Sequence, residues 1–94
     1  MNSFLVYQIS DNSINDTVKA KMKALGYYEA WSSNNINYKL PDYSMWKPNN
    51  LSLQKAVEDM QKVILEINSE KGLTVKLLRC VAVPVSPWHA ITGE

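Results

Sequence analysis

Hydrophobic and polar positions divide the first third of the chain into a strand and a helix. Residues 4–9 are rich in aromatic and branched side chains and end at a polar cluster, which is typical of a strand followed by a turn. Ser13 and Asp16 then form an S-x-x-D capping signature, and Gly26 stands where a left-handed cap ends a helix. Between these signals, apolar side chains recur at helical spacing: Ile14, Val18, Met22 and Leu25. We predict a helix over about residues 14–25.

The middle of the chain predicts a β-hairpin followed by an irregular loop. Residues 27–32 have aromatic strand character, and residues 36–40 alternate between apolar and polar side chains. Ser-Asn-Asn between these segments supplies the backbone conformations of a tight turn. Pro41 removes a ladder donor, so we expect regular pairing to end there. The apolar loop that follows, residues 42–50, either packs over the edge of the core or forms a recognition surface.

A second apolar stripe and a final strand complete the pattern. The stripe predicts a helix over about residues 52–69 that ends near Gly72, and it consists of Leu53, Ala56, Val57, Met60, Val63, Ile64 and Ile67. Residues 74–83 are predicted as a strand that Pro84 closes. The order β-α-β-β-α-β predicts an α+β fold of the ferredoxin-like type, in which two helices cover one face of a four-stranded antiparallel sheet.

Length and composition narrow the function classes. The 94 residues are enough for one domain, residues 1–94, with one modest core. A chain of this size leaves the second face of the sheet uncovered, so we expect a homodimer. The formal net charge of +1 excludes a strongly basic nucleic-acid coat and leaves room for a local basic patch. Because Cys80 is the only cysteine and no leader or membrane span is apparent, we expect a cytoplasmic protein.

The first strand, turn and helix resemble the opening of the CRISPR adaptation-complex nuclease family. Those proteins begin with a strand of the form V-x-Y-D-I-S-D-D, followed by a helix that ends in L-x-x-Y-G. The corresponding strings here are L-V-Y-Q-I-S-D-N at 5–12, V-K at 18–19 and A-L-G-Y at 24–27. Related ferredoxin-like proteins include the GhoS ribonuclease antitoxins. The resemblance implies a dimeric, metal-dependent endoribonuclease with Mg²⁺ at the dimer interface.

The metal-binding aspartate of that family corresponds to Gln8 in this chain. A neutral amide is a poor ligand for Mg²⁺, which argues against catalysis. Asp11 is the nearest carboxylate, and a twofold axis would bring two copies of it together as ligands for a metal-assisted cleavage of RNA. In that hypothesis Asp11 is the metal ligand, while Gln8 and Ser10 orient water. The alternative for Asp11 is a turn or helix-capping residue.

Aromatic and basic side chains support a second hypothesis, in which the open sheet face binds RNA. Tyr7 and Tyr38 are expected on the two central strands, where RNA-recognition domains of this strand order stack bases. The candidates for phosphate contacts are Lys19, Lys23, Lys39 and Arg79. The alternative for the two tyrosines is that their rings pack against neighbouring side chains and do not stack on bases. The alternative for Lys19 and Lys23 is that they lie on a solvated helix face and contact no phosphate.

A third hypothesis is a non-enzymatic interaction or regulatory module that binds a protein partner. Trp46 in the apolar loop and Trp88 in the proline-bounded tail are its candidate contact residues, because aromatic side chains are enriched at interface centres. His89 is interpreted as a packing or solvated residue, and Cys80 as a small apolar residue of the last strand. With three glycines and no glycine-rich motif, the chain is not expected to form a phosphate-cradling loop.

Overall fold

Two helices and five strands make up the structure, a computed structural model that describes residues 2–33 and 36–85. The elements are β1 (Ser3–Ile9), α1 (Asn15–Ala24), β2 (Ala30–Ser33), β3 (Ile36–Lys39), β4 (Ser44–Lys47), α2 (Leu53–Lys71) and β5 (Leu77–Pro84). β1 lies between β4 and β5 and is antiparallel to both, whereas β2 and β3 form an antiparallel hairpin. The predicted α+β class is therefore confirmed.

The sheet differs from the predicted four-stranded arrangement. Residues 42–50, predicted as a loop, contain β4, whose Met45 and Trp46 pair with Leu5 and Phe4 of β1. The predicted hairpin of β2 and β3 is confirmed, but it lies outside the three-stranded sheet. Among residues 2–33 and 36–85, one isolated bridge links β4 to the segment just before β2: the backbones of Tyr28 and Trp46 exchange hydrogen bonds of 2.8 and 3.0 Å. The chain bends at residue 29 before β2 begins, so this ladder does not continue.

Both predicted helices are confirmed, although the first is capped differently from the prediction. The cap is Asp11, whose Oδ1 accepts hydrogen bonds from the backbone N–H and the hydroxyl of Ser13, at the start of a short 3-10 turn that leads into α1. The second helix has the expected ends, because the Ser52 hydroxyl accepts from the N–H of Lys55 and Gly72 adopts φ 64°. Within the described residues, neither helix is long and apolar enough to cross a membrane.

The core lies between the helices and one face of the three-stranded sheet. Along β1 the inward side chains are Leu5, Tyr7 and Ile9, while Val6 and Gln8 point to the opposite face, as the two-residue period of a strand requires. The buried apolar residues that the helices contribute are Val18 and Met22 of α1 and Ala56, Met60, Val63, Ile64 and Ile67 of α2. We call the sheet face that points away from the helices the outer face.

Candidate nucleic-acid interface

Glu29, at the bend between α1 and β2, is surrounded by lysines from two elements. Nζ of Lys23 lies 2.7 Å from one carboxylate oxygen of Glu29, and Nζ of Lys19 lies 3.9 Å from the other. The hydrogen bond from Lys23, together with the charges of Lys19 and Lys39, holds the pKa of Glu29 below its usual value. Glu29 is therefore ionised at neutral pH, and its single negative charge is outnumbered by the three ammonium groups around it.

A cleft of about 380 Å³ opens next to this cluster. Its walls are formed by Lys23, Gly26, Tyr27, Tyr28, Glu29 and Ala30. Gly26 turns the chain at φ 98°, a conformation that favours glycine. Cε of Lys47 lies 3.3 Å from the position that a β-carbon at Gly26 would take, and Nζ of Lys47 lies 5.3 Å from the centroid of the Tyr27 ring. Lys47 is therefore a fourth lysine that lies at the wall of this cleft, next to Gly26 and Tyr27.

An exposed aromatic ring lies beside these cations. Tyr28 is 53% exposed, and its ring centroid lies 5.5 Å from that of Trp46 at an interplanar angle of 32°. Trp46 is fixed in turn, because its indole N–H donates a 3.0 Å hydrogen bond to the carbonyl of Ala30. The Tyr28 ring is therefore supported on one side and open to solvent on much of its surface. We call the following group the lysine–tyrosine cleft: Lys19, Lys23, Tyr28, Glu29, Lys39 and Lys47.

Three of the four basic residues predicted to contact phosphate come together here, namely Lys19, Lys23 and Lys39. Lys23 and Lys39 are exposed, whereas Lys19 is only 7% exposed, so it is neither on a solvated helix face nor as accessible to a phosphate as the other two. The fourth, Arg79, lies on the outer face, where its guanidinium donates a 3.2 Å hydrogen bond to Oε1 of Gln8. Tyr38 lies on β3 and not on a central strand of the three-stranded sheet, which corrects the prediction. Its ring packs on Trp31 at 5.4 Å between centroids.

Tyr7 is also placed differently from the prediction. It is on the central strand, but its side chain points to the helices and only 3% of it is exposed. Its hydroxyl donates a 2.5 Å hydrogen bond to Oδ1 of Asn15, and its ring meets Tyr43 edge-on at 5.9 Å between centroids. Burial raises the pKa of this phenol well above its usual value. Tyr7 is a core residue in this structure, and its ring is not accessible to a base.

The residues of the catalytic hypothesis each have a structural partner. The two hydrogen bonds from Ser13 lower the pKa of Asp11, and they confirm the capping alternative for this residue. The Ser10 hydroxyl accepts a 2.8 Å hydrogen bond from the backbone N–H of Lys76, which ties the end of β1 to the segment before β5. The structure reveals no group of three or more His, Cys, Asp or Glu side chains arranged to hold a metal within residues 2–33 and 36–85.

The other residues singled out in the sequence are placed as follows. Trp46, a candidate for partner binding, is half-buried and links β4 to Tyr28 and Ala30. Trp88 and His89 lie outside the described residues. Cys80 packs partly buried against the core, as interpreted from the sequence, and burial raises the pKa of its thiol to about 11. The thiol is therefore protonated at neutral pH.

A buried polar network behind the cleft was not predicted. The Tyr27 hydroxyl donates a 2.9 Å hydrogen bond to Oδ2 of Asp59 and accepts one of 3.1 Å from the Asn50 amide. Asn50 also donates to the Ser3 hydroxyl at 3.0 Å, while Lys55 pairs with Asp59 at 2.8 Å. The network joins α2 and β1 to the segment that carries Tyr28, so it holds the wall of the cleft in place.

Sequence reasoning also missed Tyr28, Glu29 and Lys47 as members of the site. A signal was present for Glu29, because it lies three residues after Gly26, close behind the α1 lysines in sequence, and carries the opposite charge. No local signal was present for Lys47, since its β-strand was predicted as a loop. Comparisons of the chain with protein-family models, with curated proteins and with solved structures gave no match.

Proposed function

We propose that the protein binds single-stranded RNA at the lysine–tyrosine cleft. One observation carries the proposal: three lysines lie around the Glu29 carboxylate, and a fourth, Lys47, lies at Gly26 in the same cleft, beside the exposed ring of Tyr28. Lysine ammonium groups bind backbone phosphates, and an exposed aromatic ring stacks on an unpaired base. The combination of the two within one cleft is the usual arrangement for sequence-tolerant binding of a single strand.

The geometry favours a single strand over a duplex. Tyr28 already packs against Trp46, so an incoming base has to stack on the ring surface that remains exposed. A base inside a duplex is stacked on both sides and is not available for this contact. Because the whole chain carries a formal charge of only +1, we expect modest affinity that falls as salt is added.

Binding without cleavage is the form of the proposal that the contacts support. Asp11 and Ser10 are engaged in holding the first turn and the end of β1, and Gln8 receives a hydrogen bond from Arg79. The relationship to the CRISPR adaptation-complex nucleases and GhoS proteins stays a prediction, as does the reducing compartment inferred from the single cysteine.

We also infer a ferredoxin-like plan for the domain. The three-stranded sheet has the order β5-β1-β4, and the segment at Tyr28 is bridged to the free edge of β4. This matches the ferredoxin-like strand order if β4 is counted as the third strand of that fold and the segment at Tyr28 as its second. In this interpretation the β2–β3 hairpin is an addition between the second and third positions. It brings Lys39 into the lysine–tyrosine cleft, so the departure from the simpler predicted sheet contributes to the proposed site.

The proposal is tested by titrating a fluorescein-labelled oligouridylate with protein at several salt concentrations and following fluorescence anisotropy. Lys39 is exposed, so we expect Lys39→Ala to weaken binding without loss of stability. The slope of log K against log salt should decrease in magnitude by about 0.7, the value for one lost phosphate contact on a single strand.

Lys62→Ala serves as the matched control, because Lys62 is an exposed lysine in α2 and lies outside the cleft. It removes the same charge from the chain and should leave the slope unchanged. Equal effects of the two substitutions would show that only net charge matters, and that result would contradict a defined site at the cleft.

A further inference from the structure

Glu29 lies between two lysines that differ in their accessibility. Nζ of Lys23 lies 2.7 Å from Oε1 of Glu29, and Nζ of Lys19 lies 3.9 Å from Oε2. The Lys19 side chain is buried, whereas 48% of the Lys23 side chain is exposed. An exposed lysine keeps most of its rotamers, while a buried one is fixed by the packing around it. Lys23 is therefore the member of this group that can turn toward an incoming phosphate.

The contact with Glu29 opposes the binding of a phosphate at Lys23. An ammonium group has three N–H donors, so one carboxylate does not use all of them. A phosphate on the same ammonium would nevertheless lie within a few ångströms of the Glu29 carboxylate, and two negative charges so close repel each other. Binding at Lys23 is therefore strongest when the carboxylate of Glu29 has turned away from it.

Lys19 offers the carboxylate of Glu29 a second position. The present separation of 3.9 Å is longer than a hydrogen bond, so rotation of the Glu29 side chain toward Lys19 shortens it. The backbone does not have to move, and the Glu29 carbonyl stays fixed by a 3.0 Å hydrogen bond from the N–H of Leu40. A buried ammonium gains more from a close carboxylate than an exposed one does, because water screens the pair less.

We propose that Glu29 is a built-in competitor of RNA phosphate. In the free protein its carboxylate pairs with Lys23, and when RNA binds, the carboxylate moves to Lys19 while Lys23 takes up a phosphate. This inference rests on the proposed function, because it describes how the lysine–tyrosine cleft exchanges one anion for another. It also assigns a role to Lys19, which is too buried to contact the strand and holds the displaced carboxylate instead.

Glu29→Gln tests the competition, because glutamine keeps the shape of the side chain and removes its charge. In anisotropy titrations with labelled oligouridylate at about 0.15 M salt, which screens distant charges, we expect the Kd to fall by about 1.5- to 5-fold, the range for one exposed ion pair. Glu70→Gln is the matched control. Glu70 forms a similar 2.9 Å pair with Lys21, and Lys21 lies two residues from both Lys19 and Lys23 in α1, so it does not share their face of the helix.

The movement of the carboxylate can be followed in the wild-type chain without any substitution. The side-chain carboxyl carbon of Glu29, observed by NMR in isotope-labelled protein, reports a change of hydrogen-bonding partner as a change in chemical shift. Adding unlabelled oligouridylate should shift this resonance with the same Kd as the anisotropy titration, and the resonance of Glu70 should stay in place. This measurement decides the question if Glu29→Gln does not fold.

Tighter binding by Glu29→Gln alone, together with a shifted Glu29 resonance, would support the exchange. Unchanged or weaker binding by a folded Glu29→Gln, equal gains for both glutamine variants, or a Glu29 resonance that stays in place while RNA binds would overturn it and leave RNA binding intact. No binding by the wild type and by Glu29→Gln alike would overturn the proposed function and the inference with it. Binding by the variant alone would support Glu29 as the competitor.

Discussion

Leu5→Ala is expected to lower the free energy of unfolding by about 2–5 kcal/mol. Leu5 has no exposed surface and lies on the central strand, opposite Met45 on one side and Ala82 on the other. Removing its side chain leaves a cavity between the sheet and the helices that this rigid strand cannot close. A domain of this size is usually stable by only about 5–15 kcal/mol, so the loss is a large fraction of the total. Urea unfolding followed by circular dichroism measures the change.

Leu51→Ala is the control for this prediction, because it makes the same chemical change at a leucine that is 87% exposed. Its effect should stay within about 0.5 kcal/mol. Similar losses for the two variants would contradict the assignment of Leu5 to the buried face. They would also contradict the assignment of Val6 and Gln8 to the outer face, because that assignment assumes that the side chains of β1 alternate with Leu5 on the buried side.

Tyr28→Ala is expected to weaken binding of single-stranded RNA by roughly 5- to 150-fold, which corresponds to about 1–3 kcal/mol for one base stacked on an aromatic ring. Tyr28 is the exposed ring of the cleft, and Trp46 supports it from behind. Loss of the ring leaves the lysines in place, so the salt dependence of binding should remain nearly that of the wild type. Anisotropy titrations at two salt concentrations separate these effects.

Tyr28→Phe distinguishes stacking from hydrogen bonding by the tyrosine hydroxyl. It preserves the ring and should bind RNA almost as tightly as the wild type. An equal loss for the phenylalanine and alanine variants would assign the contact to the hydroxyl, whereas no loss for either would remove Tyr28 from the site. Thermal unfolding of both variants shows whether the contact with Trp46 matters for stability.

The helices were predictable because their signals are local. An apolar stripe with a period of 3.6 residues is repeated over several turns in α2, and Ser52 and Gly72 mark its ends with the expected caps. β4 was not predictable in the same way. It has four residues between two prolines, and its partner in β1 is about 40 residues away along the chain. No sequence feature near β4 indicates that it pairs with β1.

The orientation of β1 explains the incorrect role given to Tyr7. Alternation divides the strand into Leu5, Tyr7 and Ile9 on one side and Phe4, Val6 and Gln8 on the other, and both sides are largely apolar. The period alone does not say which side the helices cover. Gln8 was the available clue, because its polar amide is better placed on the side that faces away from the core.

The candidate site was partly predictable from charge. Lys19, Lys23 and Lys39 were chosen for their sign, and the structure brings them together at Glu29. Their common location depends on the turn at Gly26 and on the β2–β3 hairpin, which place residues from two parts of the chain around one carboxylate. The position of Lys47 was not predictable, because Lys47 lies on β4 and the pairing of β4 with β1 has no local signal in the sequence.

The most direct test of the proposed function is to locate the bound RNA on the protein. Amide chemical shifts of isotope-labelled protein, recorded by NMR during titration with an unlabelled oligouridylate, report which residues the strand contacts. We expect the largest changes at Lys23, Tyr28 and Lys39, with Lys62 on α2 unaffected. Changes centred on the outer face around Val6 and Val81, or no saturable changes at low salt, would contradict binding at the lysine–tyrosine cleft.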